Sequence, residues 1–431
     1  MLELAVIADD LTGAADTGIQ FRAAFAPVHL MSHRFLSVEA LAPPPQVLSI
    51  FTASRSLPPA EAHQAVFAAC RAIGRLAPRR VYKKIDSALR GNIGAELEAA
   101  MDALNIEMSF IAPAFVDQGR TTVGGLHCIH GTPVAATEMG RDPVTPVRES
   151  RLPDWIGLQA RFPVAHVDLA ALELGLDGAS GLIRRALEKG VRHFTFDAAS
   201  REHLARIAQL ALNRYPQALL CGSAGLAHSL AGALGAGAAP PRTGGGRSDP
   251  SLSGRWLFAC GSASERLHQQ VRLLAERANV WVETLEPDWL AADTPAEGRD
   301  PVIRRAAMQL AAGDTVLNLP PPSLDSQSLD PGRLAAKFAE AVVAVIAAFR
   351  PAGLFLSGGD TALAVLERLG ARAIRLEREV GSGLVLGRLV GGAGQGLAVV
   401  TKAGAFGPPE ALIAMRKALC GDRGDSKEAD S

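Results

Sequence analysis

The segment VYKKIDSALRGNIG, Val81 to Gly94, gathers Lys83, Lys84, Asp86, Ser87, Arg90 and Asn92 around the end of a short apolar run. Lysines beside a substrate can bind a carboxylate or neutralise a transferring phosphoryl group, and a carboxylate next to them can take a hydroxyl proton. As a strand, the segment sends Tyr82, Lys84 and Asp86 to one face and Val81, Lys83 and Ile85 to the other, so charge falls on both faces of what should be a core strand. The run then turns through Gly91 and Gly94 into the helical pattern AELEAAMDAL, which adds the open N–H groups of a helix start. Together these groups suit a small anionic substrate. The structural alternative is an ion-pair network in which Asp86 only neutralises Lys84 or Arg90.

Other strand-like runs end the same way. LELAVIADDLTGAADTG closes in Asp9 and Asp10 before Thr12, Gly13 and Asp16. These acids could hold a cation, accept a proton or simply cap a helix. Neighbouring side chains point to opposite faces, so one of the pair, preferably Asp10, is expected to meet substrate. Arg55, in TASRSL after VLSIF, is a candidate for bidentate pairing with a carboxylate. Toward the C-terminus, GLFLSGGDTALAVLERLG places Gly358, Gly359, Asp360 and Thr361 at a strand-to-helix turn, a natural anion cradle. VVTKAGAFG, with Thr401, Lys402, Gly404 and Gly407, and ACGSAS, with Gly261, Ser262 and Ser264, reinforce it. Neither a Walker pattern nor a G-x-G-x-x-G fingerprint is present.

The elements that position these groups alternate throughout. Strand-like runs such as AVIADD, RVYKKIDS, SFIAPAF, HFTFDA, RWLFACGSAS and DTVLNLPP are separated by stretches with helical spacing. This predicts an α/β fold of two domains, each a largely parallel sheet with flanking helices. The Gly-, Pro- and Ser-rich residues 235–254 read as a linker between a domain at 1–234 and one at 255–420, and the polar residues 421–431 as a disordered tail. The segment GRTTVGGLHCIHGTPVAATEMGRDPVTPVRES reads as a long loop of the kind that forms lids. No third ligand near His127 and His130 completes a metal set there.

Lys plus Arg (44) offset Asp plus Glu (44), so no whole-molecule field favours nucleic acid or an anionic membrane. The longest wholly apolar stretch, Ala341 to Phe349, falls well short of the roughly 18 residues of a membrane span. The start of the chain carries no export pattern, and the five scattered cysteines form no C-x-x-C pair, which fits a reducing cytoplasm. The oligomeric state is open, a homo-oligomer included.

Taken together, ADDLTGAADTG, TASRSL, KKIDSALRGNIGAELEA, the segment from GRTTVGG to RDPVTPVRES, SGGDTALAVLE and VVTKAGAFG resemble the four-carbon acid sugar kinase family, from about Leu4 to Leu419. The resemblance implies an N-terminal acid-sugar-binding domain and a C-terminal nucleotide-binding domain, with ATP phosphorylating the terminal (4-) hydroxyl of a four-carbon sugar acid. Asp10, Arg55 and the run Lys83, Lys84, Ile85 and Asp86 would bind the acid. Ser262, the Gly358 to Thr361 turn, Lys402 and the Gly404, Ala405, Phe406, Gly407 turn would bind magnesium ATP, with the metal ligands unknown. Asp86 is favoured as base, with Asp10 close behind, and domain closure would exclude water. The N-terminal motif looks more like the D-threonate branch of the family than the 3-oxo-tetronate branch, with D-erythronate and L-threonate as alternatives. Two departures are Ala88, where the family pattern has Thr or Ser, and the want of an acid near Gln395. Rival readings are a phosphatase with an aspartyl nucleophile, which Thr12 in the second position of Asp-x-Asp disfavours, and a non-catalytic acid-sugar sensor, which leaves the second glycine-rich site idle.

Overall fold

In a computed structural model of the chain, residues 1–36, 38–235, 252–262, 264–278, 280–286, 290, 296–320, 330–404 and 406–420 are described. The chain divides into two compact units, Met1–Pro241 and Arg242–Ser431. The expected linker at 235–254 lies largely, and the expected tail at 421–431 wholly, outside the described residues.

The first unit contains β1 (Leu4–Ala8), β2 (Val28–Ser32), β3 (Val47–Phe51), β4 (Arg80–Lys84), β5 (Ser109–Ala112), β6 (Arg120–Val123), β7 (Leu126–Ile129), β8 (Thr132–Pro133), β9 (Val164–Val167), β10 (His193–Phe196) and β11 (Leu219–Gly222). All except β6 to β8 form one parallel sheet, in the order β2-β3-β1-β4-β11-β5-β10-β9. LAVIA and VLSIF are buried at every position because helices cover both faces, which is why these strands read as unbroken apolar runs. Helix α1 (Leu11–Gln20) follows β1, α2 (Pro59–Gly74) follows β3 and α3 (Ile93–Leu104) follows β4. Ile7, Val66, Cys70, Ile85, Leu97 and Ile111 share one core cluster across the sheet, α2 and α3. Each such fully buried aliphatic side chain contributes about 1.5–3 kcal/mol, enough for the frame to tolerate the charges buried at its strand ends.

From β1 the chain runs to β2 and β3 on one side and then to β4 on the other. The order therefore reverses between β1 and β4, and the carboxyl ends of these neighbours open a crevice.

The second unit contains β12 (Trp256–Cys260), β13 (Val280–Thr284), β14 (Asp314–Asn318), β15 (Gly353–Ser357), β16 (Ala373–Gly381), β17 (Leu384–Val390) and β18 (Ala398–Lys402), in the order β13-β14-β12-β15-β18-β17-β16. The first five are parallel, and β18, β17 and β16 are antiparallel. Its core includes Trp256, Phe258, Phe355, Val400 and Leu412, with the Phe258 and Phe355 rings 5.6 Å apart. Here the order reverses between β12 and β15.

Each unit thus has the largely parallel, helix-flanked sheet that the alternation predicts. The expected long loop after Gly119 is different: β6, β7 and β8 form an antiparallel sheet there. Its two tight turns use residues with positive φ, Gly124 (58°) with Gly125 (78°) and His130 (49°) with Gly131 (79°), the backbone that two-residue hairpins demand. Gly-Gly was a readable hairpin signal; strands of four residues or fewer were too short to show a period. Among the described residues no helix is long and apolar enough to cross a membrane.

Candidate functional site

Asp9 and Asp10 follow the last residue of β1. Asp10 caps α1 from an extended backbone: its Oδ1 accepts the Gly13 amide at 2.9 Å and its Oδ2 the Thr12 hydroxyl at 2.8 Å. Arg55, beyond the end of β3, donates through Nε to Asp9 Oδ2 at 2.6 Å and sets Nη1 3.0 Å from Asp10 Oδ2. The arginine expected to take a substrate carboxylate thus holds two of the chain's own. Burial works against ionised Asp10, yet Arg55, Lys84 and the Thr12 hydroxyl outweigh it and keep the carboxyl below its usual range. Asp9 is 3% exposed, and its Oδ1 has no hydrogen-bond partner among the described residues.

The two lysines of β4 part company. Lys83 is wholly buried on the α3 side, where Nζ meets Glu96 Oε2 at 2.6 Å and donates to the Lys84 carbonyl at 3.0 Å. Glu96 Oε1 accepts the Ser54 hydroxyl at 2.6 Å, which ties α3 to the loop that carries Arg55. Burial would discharge Lys83, but Glu96 and Asp9 hold it as a cation. Lys84 projects to the α1 side, where a Cβ placed on Gly13 would lie 2.7 Å from its Nζ. Though only 5% exposed and within the field of Asp10 and Asp86, Lys84 Nζ makes no hydrogen bond or close ion pair among the described residues. Ile85 belongs to the apolar core, and its amide donates to the Gly222 carbonyl at 3.0 Å.

Asp86 Oδ2 accepts Arg90 Nε at 2.6 Å, while Oδ1 accepts no hydrogen bond among the described residues. Burial would raise this carboxyl; Arg90, Arg55 and Lys84 together hold it well below the usual carboxylate range. The turn approaches Arg55 closely because Gly91 has φ 91° and no side chain: a Cβ there would come 3.4 Å from Arg55 Cγ. The start of α3 is not wholly open, since the Gly94 amide donates to Gln159 Oε1 at 3.0 Å. Thus Asp10, Arg55, Lys84 and Asp86 come together at the β1–β4 crevice, while Lys83 and Ile85 are turned into the core.

His127 and Glu96 are supports that spacing alone did not assign. His127 Nε2 lies 2.9 Å from the Ser87 carbonyl and Nδ1 2.9 Å from Thr122 Oγ1. A carbonyl only accepts, so Nε2 carries the proton and Nδ1 takes the threonine's. Burial, with Arg120 adding to it, pushes the imidazole down to about 4, so it stays neutral and ties the small sheet to the Asp86 loop. Among the described residues no group of three or more His, Cys, Asp or Glu side chains is arranged to hold a metal.

In the second unit, the loops after β12, β15 and β18 approach one another closely at their glycines. A Cβ on Gly404 would strike Ser262 Oγ, one on Gly261 would strike Thr361 Oγ1, and one on Gly358 would lie 3.3 Å from Ser262 Cβ. Gly358 has φ 99° and precedes the helix Gly359–Arg368, whose first turn has no side-chain cap. Its leading amides are therefore left for a ligand or water. A Cβ on Gly359 would meet nothing within 4 Å, Asp360 is exposed, and Ser357 Oγ and Asn318 Oδ1 are buried without partners among the described residues. A glycine-walled crevice with open amides fits the phosphates of a nucleotide.

Lys402 is wholly buried and gives its three donors to the carbonyls of Ala403 (2.8 Å), Gly404 (2.9 Å) and Phe406 (3.0 Å). Burial pushes its ammonium down to about 7, Arg266 adds to this and Cys260 opposes it. Gln270, another residue the sequence did not single out, donates to the carbonyls of Phe406, Gly407 and Pro408 at 3.0, 3.3 and 2.8 Å. Ala405 lies outside the described residues.

Comparison with known proteins agrees with this division. Residues 4–230 match a sugar-binding N-terminal domain and residues 257–412 a nucleotide-binding C-terminal domain. The chain is 32% identical to a D-threonate kinase of Salmonella typhimurium strain LT2, over 98% of this chain and 100% of that one. It is also 32% identical to a D-threonate kinase of Bordetella bronchiseptica, over 96% and 97%. A crystal structure from Salmonella typhimurium LT2, described as a putative tRNA synthase, shares the fold with a TM-score of 0.75 at 23% identity, covering 96% of this chain and 98% of the other. With both domain matches, full-length relatives, a charged crevice in one unit and a glycine cradle in the other, the chain belongs to the four-carbon acid sugar kinase family.

Proposed function

We propose that this kinase transfers a phosphoryl group from ATP to the 4-hydroxyl of D-threonate, in the cytoplasm and with Mg2+ bound to the nucleotide's phosphates. The observation that carries the acid-binding half is Lys84, a nearly buried ammonium with no close partner among the described residues, beside Asp10, Arg55 and Asp86. An acid sugar supplies what such a cation needs: its carboxylate pairs with Lys84 and with the remaining nitrogen of Arg55, and its hydroxyls donate to Asp10 and to the orphaned Asp9 Oδ1.

Asp86 is the base in this reading, because among the described residues nothing donates to its Oδ1 whereas three donors already occupy Asp10. As the new O–P bond forms and the bond to the departing ADP breaks, the hydroxyl proton passes to Asp86 Oδ1 and then to water. A carboxylate this strongly ionised is a weak base. That suffices for a transition state that depends on positioning and charge neutralisation rather than on a potent nucleophile. In the second unit, the open amides after Gly358 and around Gly404 and Gly407 receive the phosphates.

The test is a panel of D-threonate, D-erythronate, L-threonate and 3-oxo-tetronate with magnesium ATP, read by coupled ADP release and by mass spectrometry of the acid. A monophosphorylated product and highest kcat/KM on D-threonate are expected. A different preferred acid overturns the substrate, and no product from any of them overturns the substrate class.

A further inference from the structure

We propose that Lys402 and Gln270 are positioning residues that shape the phosphate-binding turn from behind, and that Lys402 does not itself touch the nucleotide. The inference rests on the nucleotide reading of the second unit and deepens it. Five carbonyls of the turn, at 403, 404, 406, 407 and 408, converge on two side-chain nitrogens. An ammonium has three donors and no acceptor, and all three of Lys402's are committed at 2.8–3.0 Å. The Gln270 amide can be oriented only one way, since three carbonyl oxygens face it and its Nε2 alone can donate.

The consequence lies on the other side of the turn. Holding successive carbonyls inward directs peptide dipoles so that amides point outward, the arrangement of an anion nest. The Gly404 and Gly407 amides have no protein acceptor among the described residues, and Gly407 takes φ 85°, which the reversal requires. No carboxylate pairs with Lys402 among the described residues; Cys260 and Arg266 are the ionisable groups that act on it. Three carbonyl oxygens match the three donors of the protonated amine, and in that form it adds positive potential behind the turn without leaving its place there.

Two variants separate this from direct phosphate contact. Lys402→Met removes charge and staple together, whereas Gln270→Leu removes only the neutral half of the staple and is the fallback should the buried methionine not fold. Without nucleotide, exchange of the Phe406 amide, which donates to the Ala403 carbonyl at 3.1 Å across the stapled turn, should speed up about tenfold or more in each folded variant, and unchanged exchange in both overturns the staple. This readout is independent of what the turn binds. By calorimetry on the full chain, both variants should weaken ATP and ADP by the same factor, about tenfold for Lys402→Met and a few-fold for Gln270→Leu, with acid affinity within about twofold. Silent Gln270→Leu together with a Lys402→Met loss that grows from AMP through ADP to ATP would make Lys402 a phosphate ligand and overturn the proposal. A wild-type chain that binds no nucleotide but keeps the staple by exchange would instead refute the nucleotide reading.

Discussion

Lys83 and Lys84 are neighbours with opposite fates, and substitution should separate them. Lys83→Ala strands Glu96 in the core and should cost about 3–5 kcal/mol of stability, visible as a lower denaturant midpoint. Lys84→Ala removes a cation that holds no close partner among the described residues, so the midpoint should stay nearly constant while D-threonate affinity falls about tenfold to a hundredfold by calorimetry. Equal stability losses would mean the two lysines do the same work. Asp86→Asn should fold yet lose about a hundredfold or more in kcat, because an amide cannot take the proton. It also has a pH signature. The folded-state pKa of Asp86 lies below its ordinary value of 3.8, so its contribution to stability is complete above that value and is lost as pH falls below it. Thermal unfolding between pH 6 and pH 3 should therefore depend less on pH in Asp86→Asn than in the parent chain.

At the scale of elements, function depends on how strand-to-helix turns end. After β1 the turn is closed by Asp10, which satisfies the Gly13 amide. After β15 it is left open, because glycine stands where a capping side chain would be. Gly358→Val puts a branched side chain at φ 99° and drives a Cβ toward Ser262. The left-handed backbone alone disfavours a non-glycine residue by about 1–2 kcal/mol. ATP affinity should fall about tenfold or more while acid-sugar affinity stays within about twofold. An unaltered ATP affinity would move the phosphates away from this turn. The small sheet β6 to β8 works differently: its buried His127 braces the Ser87 carbonyl, so its effect on chemistry passes through the Asp86 loop.

For the whole molecule, the same topological device occurs once in each unit. Both sheets reverse direction next to their first strand, and both reversals carry the groups suited to a ligand: acids and cations between β1 and β4, glycines and open amides between β12 and β15. If each crevice recognises its own ligand, full-length chain should bind acid sugar without nucleotide and nucleotide without acid sugar, each with a stoichiometry of one per chain. Arg55→Ala should weaken acid binding about tenfold to a hundredfold and spare ATP. Loss of ATP binding in that variant, with the fold intact, would contradict the division.

Local chemistry determined much of this from the sequence alone. Unbroken apolar runs such as LAVIA and GLFLS marked buried parallel strands, glycine-bearing turns marked where helices begin, and the charged or glycine-rich residues between them had to lie at carboxyl strand ends. Pairing was another matter. Whether Lys83 or Lys84 faces the crevice with an open ammonium depends on Glu96, which α3 brings back across the sheet. Arg55 meets Asp9 and Asp10 only because β3 lies beside β1, and Lys402 and Gln270 share the Phe406 carbonyl only because the helix that carries Gln270 packs against the same turn. Period and composition report which face a residue prefers; which partner waits on that face is set by strand order and long-range packing, and only the tertiary structure decided it.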